Sequence, residues 1–239
     1  MVILIRKRHV AYLVLLCCFV AGLSAVLWHG NAAFTAAFAP EEGTPFTVVV
    51  DAGHGGEDGG AVAGDGTVES GLNLAIARRV RDLLTFAGMP TAVTREGEDA
   101  IYDPGSTSLR EKKVSDLHNR VDLVNALPGA VLVSIHQNSL PSSPSTHGAQ
   151  VFWNRQEGAE ALAESVQTAL NGAINAGNEK KAAQVPSSVY LMKEITVPGV
   201  LVECGFLSNA AETEQLRDPA YQTKLAAAIA AGVLNSDKS

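Results

Sequence analysis

Short runs of β-branched and aliphatic residues alternate along this chain with longer stretches whose apolar positions recur every three or four residues. The first run, Thr47-Val48-Val49-Val50, is four β-formers in a row and predicts a short buried strand. Glu69–Phe86 predicts a helix: Leu72, Ile76, Val80 and Leu83 share one face, with Ala75 and Leu84 alongside, while Arg78 and Asp82 face away. Gly88 and Pro90 stop it. Thr91–Thr94 reads as a second strand, and Arg95–Ser108, with Pro104-Gly105, as a polar loop. A helix follows within Leu109–Leu127, with Val114, Leu117, Val121 and Val124 as its apolar stripe. Pro128-Gly129 turns the chain into the strand Val131–His136, VLVSIH.

Beyond it, Gln137–His147 (QNSLPSSPSTH) is too short and too rich in Pro and Ser to hold a helical lid. Ala149–Trp153 reads as a strand, Glu160–Ile174 as a helix, and Gly177–Ser188 as a polar stretch. Val189–Met192 and Val200–Val202 read as short strands flanking Pro198-Gly199. Asp218-Pro219 is an N-cap followed by Pro at the first helical position, opening a closing helix with Leu225, Ile229 and Val233 on one face. No internal repeat is visible. Strands alternating with helices predict an α/β fold, a mostly parallel central sheet with helices on both faces.

The N-terminus breaks this pattern. Val10–Trp28 is nineteen residues without a charge, about long enough to cross a bilayer, and Arg6-Lys7-Arg8-His9 precedes it. The basic flank places residues 1–9 in the cytoplasm and the remainder outside. Two readings stand for residues 10–28. Signal h-regions run to about 7–15 residues, which favours an uncleaved membrane anchor. The small-residue steps Thr35-Ala36-Ala37 and Ala37-Phe38-Ala39 resemble cleavage sites and support a signal peptide. Residues 29–45 form a linker, and residues 46–239 the folded domain.

The chain has 239 residues and a net charge of −7, and its N-terminal segment holds the basic cluster Arg6-Lys7-Arg8, so the remainder is more acidic still. An acidic chain whose lysine clusters beyond the N-terminal segment are no larger than the pairs Lys112-Lys113 and Lys180-Lys181 is no nucleic-acid binder, because phosphate neutralisation needs clustered cations. Cys17 and Cys18 lie in the apolar run, which leaves Cys204 alone in the domain as a small buried filler with no partner for a disulfide there.

Candidate chemistry gathers where the predicted strands end. After Val50 comes a Gly-rich loop carrying Asp51, His54, Glu57 and Asp58, and Glu69 stands at the start of the next helix. The strand VLVSIH ends in His136, and Val200–Glu203, VLVE, ends in an acid. A phosphate cradle is excluded, since neither GxxxxGK[ST] nor GxGxxG occurs there and the carboxylates of Asp51, Glu57, Asp58 and Asp65 repel an anion. Ligands of open α/β sheets bind outside the carboxyl ends of the strands, so His54, His136 and Glu203 would converge with Glu69 in one crevice. A carboxylate closing an apolar strand is costly unless paired or functional. A salt bridge from Glu203 to Arg95 or Arg120 is the structural alternative. His9, His29, His118 and His147 read as non-ligands.

The stretches GHGGEDGGA, ESGLNL, SIHQNS and PGVLVECGFLSN, in this order, resemble the zinc-dependent N-acetylmuramoyl-L-alanine amidases, the Amidase_3 type of peptidoglycan hydrolase. The resemblance covers about residues 46–234. It implies Zn²⁺ held by His54, Glu69 and His136, a His₂Glu set with an open fourth position. It also implies Glu203 as the catalytic carboxylate, taking a proton from water and returning it to the departing amine. The bond cut joins the lactyl group of N-acetylmuramic acid to L-alanine of the stem peptide. Asp51, Asn73 and Asn138 lie inside the motifs, placed to orient ligands. Ala52, Gly59 and Ser70-Gly71 depart from the residues common there in the family. Ser188–Lys193 (SVYLMK) and the N-terminal segment resemble the sporulation, CwlD-like subgroup, which acts in spore cortex on the way to muramic-δ-lactam. The implied partners are the glycan strand and stem peptide of peptidoglycan, the membrane through the N-terminal segment, and an activating protein of unknown identity, with no nucleic acid. A non-catalytic peptidoglycan-binding module and a zinc carboxypeptidase acting within the stem peptide are the rival readings.

Overall fold

The computed structural model describes residues 46–127 and 129–236; the N-terminal basic segment, the anchor or signal peptide and the linker fall outside them. Among the described residues no helix is long and apolar enough to cross a membrane. Six strands, β1 (Val48–Ala52), β2 (Thr91–Val93), β3 (Val131–Asn138), β4 (Gln150–Trp153), β5 (Ala183–Gln184) and β6 (Gly199–Phe206), form one sheet in the order β2-β1-β3-β6-β4-β5. The pairs β1/β2, β1/β3 and β3/β6 are parallel, and β4 runs antiparallel to β6 with β5 parallel beyond it. The helices are α1 (Glu69–Phe86), α2 (Leu109–Asn125), α3 (Ala159–Ala173), α4 (Tyr190–Glu194), α5 (Ala210–Arg217) and α6 (Pro219–Ser236).

Both faces of the central strands are covered, which is why their sequences are nearly unbroken apolar runs rather than alternations. Val48, Val50, Val133, Ile135, Val200, Val202 and Cys204 join one buried layer with Ile76 and Val80 of α1, Val166 of α3 and Ile229 of α6. The intervening Val49, Leu132 and Leu201 pack on the other face with Val124 of α2 and Leu191 and Met192 of α4. Cys204 is fully buried, as expected of a filler. Leu225, Ile229 and Val233 are buried along α6, and the Asp218 carboxylate accepts from Ala220 N (3.0 Å) at its start.

Four local differences from the sequence pattern stand out. Val189–Met192 is not a strand: residues 190–194 are helical. A strand would point Leu191 and Met192 to opposite faces, whereas both are buried in the same layer, which a helical turn allows. Helix α5 was not anticipated; Asn209 caps it, its side chain accepting from Glu212 N at 3.1 Å. In α2 the expected stripe holds only in part, since Val114 is 46% exposed while Asp116 and Arg120 are buried. Strands β3 and β6 also run further than the apolar runs indicate, to Asn138 and Phe206.

Candidate metal centre

The loop between β1 and α1 is built to aim two side chains at one point. Gly53 N still pairs with Ile135 O of β3 (3.0 Å), and then the chain leaves the sheet. Gly53 is required there: a Cβ would lie 2.2 Å from Cε1 of the His136 ring. His54 follows with φ 61°, the one non-glycine residue with positive φ among the described residues. At the other end of the loop α1 starts without a side-chain cap, and its first amides, Glu69 N and Ser70 N, donate to the carbonyls of Ala61 (2.9 Å) and Gly59 (3.0 Å). Those bonds clamp the loop to the helix start, so Glu69 is oriented by the chain that carries His54.

The three expected ligands come together. Glu69 Oε1 lies 3.0 Å from His136 Nδ1 and 3.4 Å from His54 Nε2, and the three donor atoms all fall within 4.8 Å of one another. The two rings stand nearly edge to face, 5.1 Å between centroids. Two of the three expected ligands, His54 and Glu69, are held from behind. Asp58 Oδ2 is 3.0 Å from His54 Nδ1 and also accepts from Lys113 Nζ (3.1 Å). Glu69 Oε1 accepts from Asn73 Nδ2 (3.1 Å) and Gln137 N (3.2 Å), and Oε2 from Ala61 N (2.8 Å). Asn73 also donates to Gly53 O at 3.1 Å. Of the three candidate orienting residues, Asn73 therefore touches a ligand. Asp51 lies deeper, accepting from Ser134, Thr94 and Arg120, and the Asn138 side-chain Oδ1 accepts from the neighbouring Ser139 N. The roles of Asp58 and of the Gln137 amide were not anticipated, although Asp58 stands in the same GHGGEDGGA motif.

Electrostatics agree with a cation site. Burial opposes the Glu69 carboxylate, yet hydrogen bonds and charge from His136 and His54 hold it far below the usual carboxylate range. Burial likewise opposes a His54 imidazolium, but Glu69 and Asp58 raise its pKa above the ordinary value. Two imidazoles around one buried carboxylate, with a crevice on the open side, fit a three-ligand zinc hydrolase site.

Glu203 is paired in register with His136 across β3 and β6, just where that ladder shifts. Its Oε2 is shut off from solvent and has no hydrogen-bond partner among the described residues. Burial pushes its carboxyl up to about 7, with His136 and His54 working against that and Glu69 adding to it. The salt-bridge alternative does not occur: Arg120 pairs with Asp51 and Asp116, and Arg95 donates to the carbonyls of Ala52, Gly53, Ser70 and Gly97. Beside the centre a cavity of about 100 Å³ is lined by Gly53, His54, Lys113, His136, Tyr190 and Met192.

A mostly parallel α/β sheet with a His₂Glu cluster at its carboxyl edge fits the class of metal-dependent hydrolases. Residues 48–235 match the family described as Amidase_3, N-acetylmuramoyl-L-alanine amidase, and the chain belongs to that family of peptidoglycan amidases. The germination-specific N-acetylmuramoyl-L-alanine amidase of Bacillus subtilis is 36% identical over 187 residues, covering 78% of each chain. The CwlD amidase of Clostridioides difficile, solved in complex with the GerS lipoprotein, superposes with a TM-score of 0.77 at 33% identity, covering 81% of this chain and 98% of that one. An N-acetylmuramoyl-L-alanine amidase from Clostridium difficile 630 gives a TM-score of 0.71 at 27% identity, covering 82% of this chain and 99% of that one.

Proposed function

We propose that this amidase is zinc-dependent, with His54, Glu69 and His136 as metal ligands and Glu203 as general base and acid. The observation that carries the reading is the convergence of the three donor atoms beside a carboxylate whose buried oxygen lacks a partner. Zinc in such a site supplies Lewis acidity toward the scissile carbonyl and brings water to a reactive state near neutral pH. The chain's own residues do the rest. Asn73 and the Gln137 amide hold the Glu69 carboxylate in place, and Asp58 fixes the orientation of His54. Glu203 accepts a proton from the attacking water and delivers it to the nitrogen of L-alanine. The amide C–N bond to the lactyl group breaks, leaving a lactyl carboxylate and a free stem-peptide amine.

The setting we propose is outside the cytoplasm, in spore-cortex remodelling. Likeness to the Bacillus subtilis and Clostridioides difficile proteins supports it, as does the basic-plus-apolar N-terminal segment, read as an anchor or a signal peptide. By likeness to the solved complex, a lipoprotein is the class of protein partner to look for.

Mass spectrometry of peptidoglycan digested by the zinc-loaded protein tests the reaction. Free, full-length stem peptide with L-alanine at its amino end is the expected product. A stem shortened from its carboxyl end would mean a carboxypeptidase, and binding without products a non-catalytic module.

A further inference from the structure

The backbone around His54 is held by side chains rather than by the sheet alone. Three consecutive carbonyls accept from buried guanidinium groups or an amide. Ala52 O takes Arg95 Nε (2.9 Å) and Arg120 Nη1 (2.8 Å). Gly53 O takes Arg95 Nη2 (3.2 Å) and Asn73 Nδ2 (3.1 Å). His54 O takes Arg120 Nη2 at 2.7 Å.

Arg120 is the more demanding of the two arginines. It is 2% exposed, lies on α2 and is far from His54 in sequence. Its Nε and Nη2 grip Asp116 (2.7 and 3.3 Å), and Nη1 reaches Asp51, itself fixed by Ser134 and Thr94. The guanidinium is thus immobilised by two carboxylates on one side and presents Nη1 and Nη2 to the carbonyls of residues 52 and 54 on the other. A buried ion network of this kind is weak support for stability, because hydrophobic residues of similar volume often do as well. What it supplies here is a template for the one residue that needs one. His54 carries a Cβ yet sits at φ 61°, a conformation sparsely populated by residues other than glycine that persists only where the surroundings impose it.

We infer that Arg120 is a positioning residue for the metal centre: it holds His54 in its left-handed conformation so that Nε2 faces Glu69 and His136. This rests on the proposed ligand set, and it assigns a function to an arginine that lines the adjoining cavity but bonds to no proposed ligand side chain, reaching His54 only through its carbonyl. Lysine cannot take its place, since an ammonium is a point donor without the planar fork that reaches two carbonyls and two carboxylates together.

The experiment compares R120K with wild type and H54A in the full chain. It reads zinc affinity by chelator competition, the visible absorption of the cobalt-substituted protein, and melting temperature of the metal-free form. R120K should fold, bind zinc about 10–100-fold more weakly, as loss of an outer partner of a ligand does, and show an altered cobalt spectrum. A folded R120K with wild-type zinc affinity and cobalt spectrum overturns the assignment. Should R120K not fold, R120M/D51N removes the guanidinium together with its closest buried carboxylate. A folded double variant with the same weakening supports the inference. One that keeps wild-type affinity, or that also fails to fold, makes Arg120 a stability residue and defeats it. H54A separates the two levels: if it keeps zinc, the ligand set itself is wrong and the inference falls with it. If H54A loses zinc while R120K keeps it, only the inference fails.

Discussion

Asp58 Oδ2 lies 3.0 Å from His54 Nδ1, on the side of the ring away from Glu69. With the Nδ1 proton donated to Asp58, Nε2 is left with its lone pair toward the crevice, the tautomer a metal requires. Lys113 Nζ, 3.1 Å from the same oxygen, keeps Asp58 ionised, and charge and hydrogen bonds from His54 and Lys113 overcome burial to lower its pKa. Asp58→Asn can present its amide nitrogen to Nδ1 and favour the wrong tautomer. Zinc affinity should fall about 10–100-fold with little change in melting temperature. Unchanged zinc binding in a folded D58N would remove Asp58 from the site.

Removing the metal gives a second prediction with a pH sign. Both histidines must be neutral to bind zinc, so affinity falls as protons compete. In the metal-free chain Glu69 and Asp58 outweigh burial and raise the pKa of His54 above 6.5. The decline should therefore begin on the alkaline side of that value and steepen below it. Zinc titrations across pH 5–8 read this directly, and affinity that holds level down to pH 6 would contradict the paired His54.

Gly53 tests the packing of the centre. Its Cβ would fall 2.2–2.7 Å from three atoms of the ring of His136, a proposed ligand that cannot yield without leaving Glu69. Gly53→Ala should cost about 1–3 kcal/mol in stability by overpacking and displace His136, lowering zinc affinity in parallel. A variant that melts and binds zinc like wild type would show that the ring has room to move.

The candidate site was legible because its residues stand beside unambiguous runs: TVVV shortly before His54, VLVSIH ending in His136, VLVE ending in Glu203, and a strong helical period starting at Glu69. The parallel sheet followed from the same alternation. The supports were not legible, for definite physical reasons. Arg120 and Asp116 occupy the buried face of α2, where periodicity expects apolar residues, so the helix face was assigned to Val114 instead. The run Val189–Met192 is too short for its period to be read, and only the shared burial of Leu191 and Met192 makes it a helix. Helix α5 lay hidden behind the strand motif, although Asn209 and Glu212 are spaced as a cap and its third helical residue.

Glu203 carries the last prediction, because its two roles, buried carboxyl and general base, leave different traces. Glu203→Gln keeps the shape but cannot accept a proton, so turnover should fall about 10²–10⁴-fold while zinc content stays at the wild-type level. A variant losing zinc in step with activity would make Glu203 a ligand instead. Stability gives an independent reading in the metal-free protein. Burial raises the folded-state pKa from 4.5 to about 7, so between those values the folded chain holds a proton that the unfolded chain has released. Stability therefore carries no penalty from this group below about 4.5, declines as pH rises toward 7, and stays lower by a constant amount above it. The loss is on the order of 3 kcal/mol. Glutamine has no charge to bury, so its melting temperature relative to wild type should climb between pH 4.5 and 7 and then level off. His54, His136 and Glu69 are common to both proteins, which leaves Glu203 as the source of the difference. A gap that stays flat across this range would mean that the Glu203 carboxyl is hydrated in solution, and with it would go the case for a base poised near neutral pH.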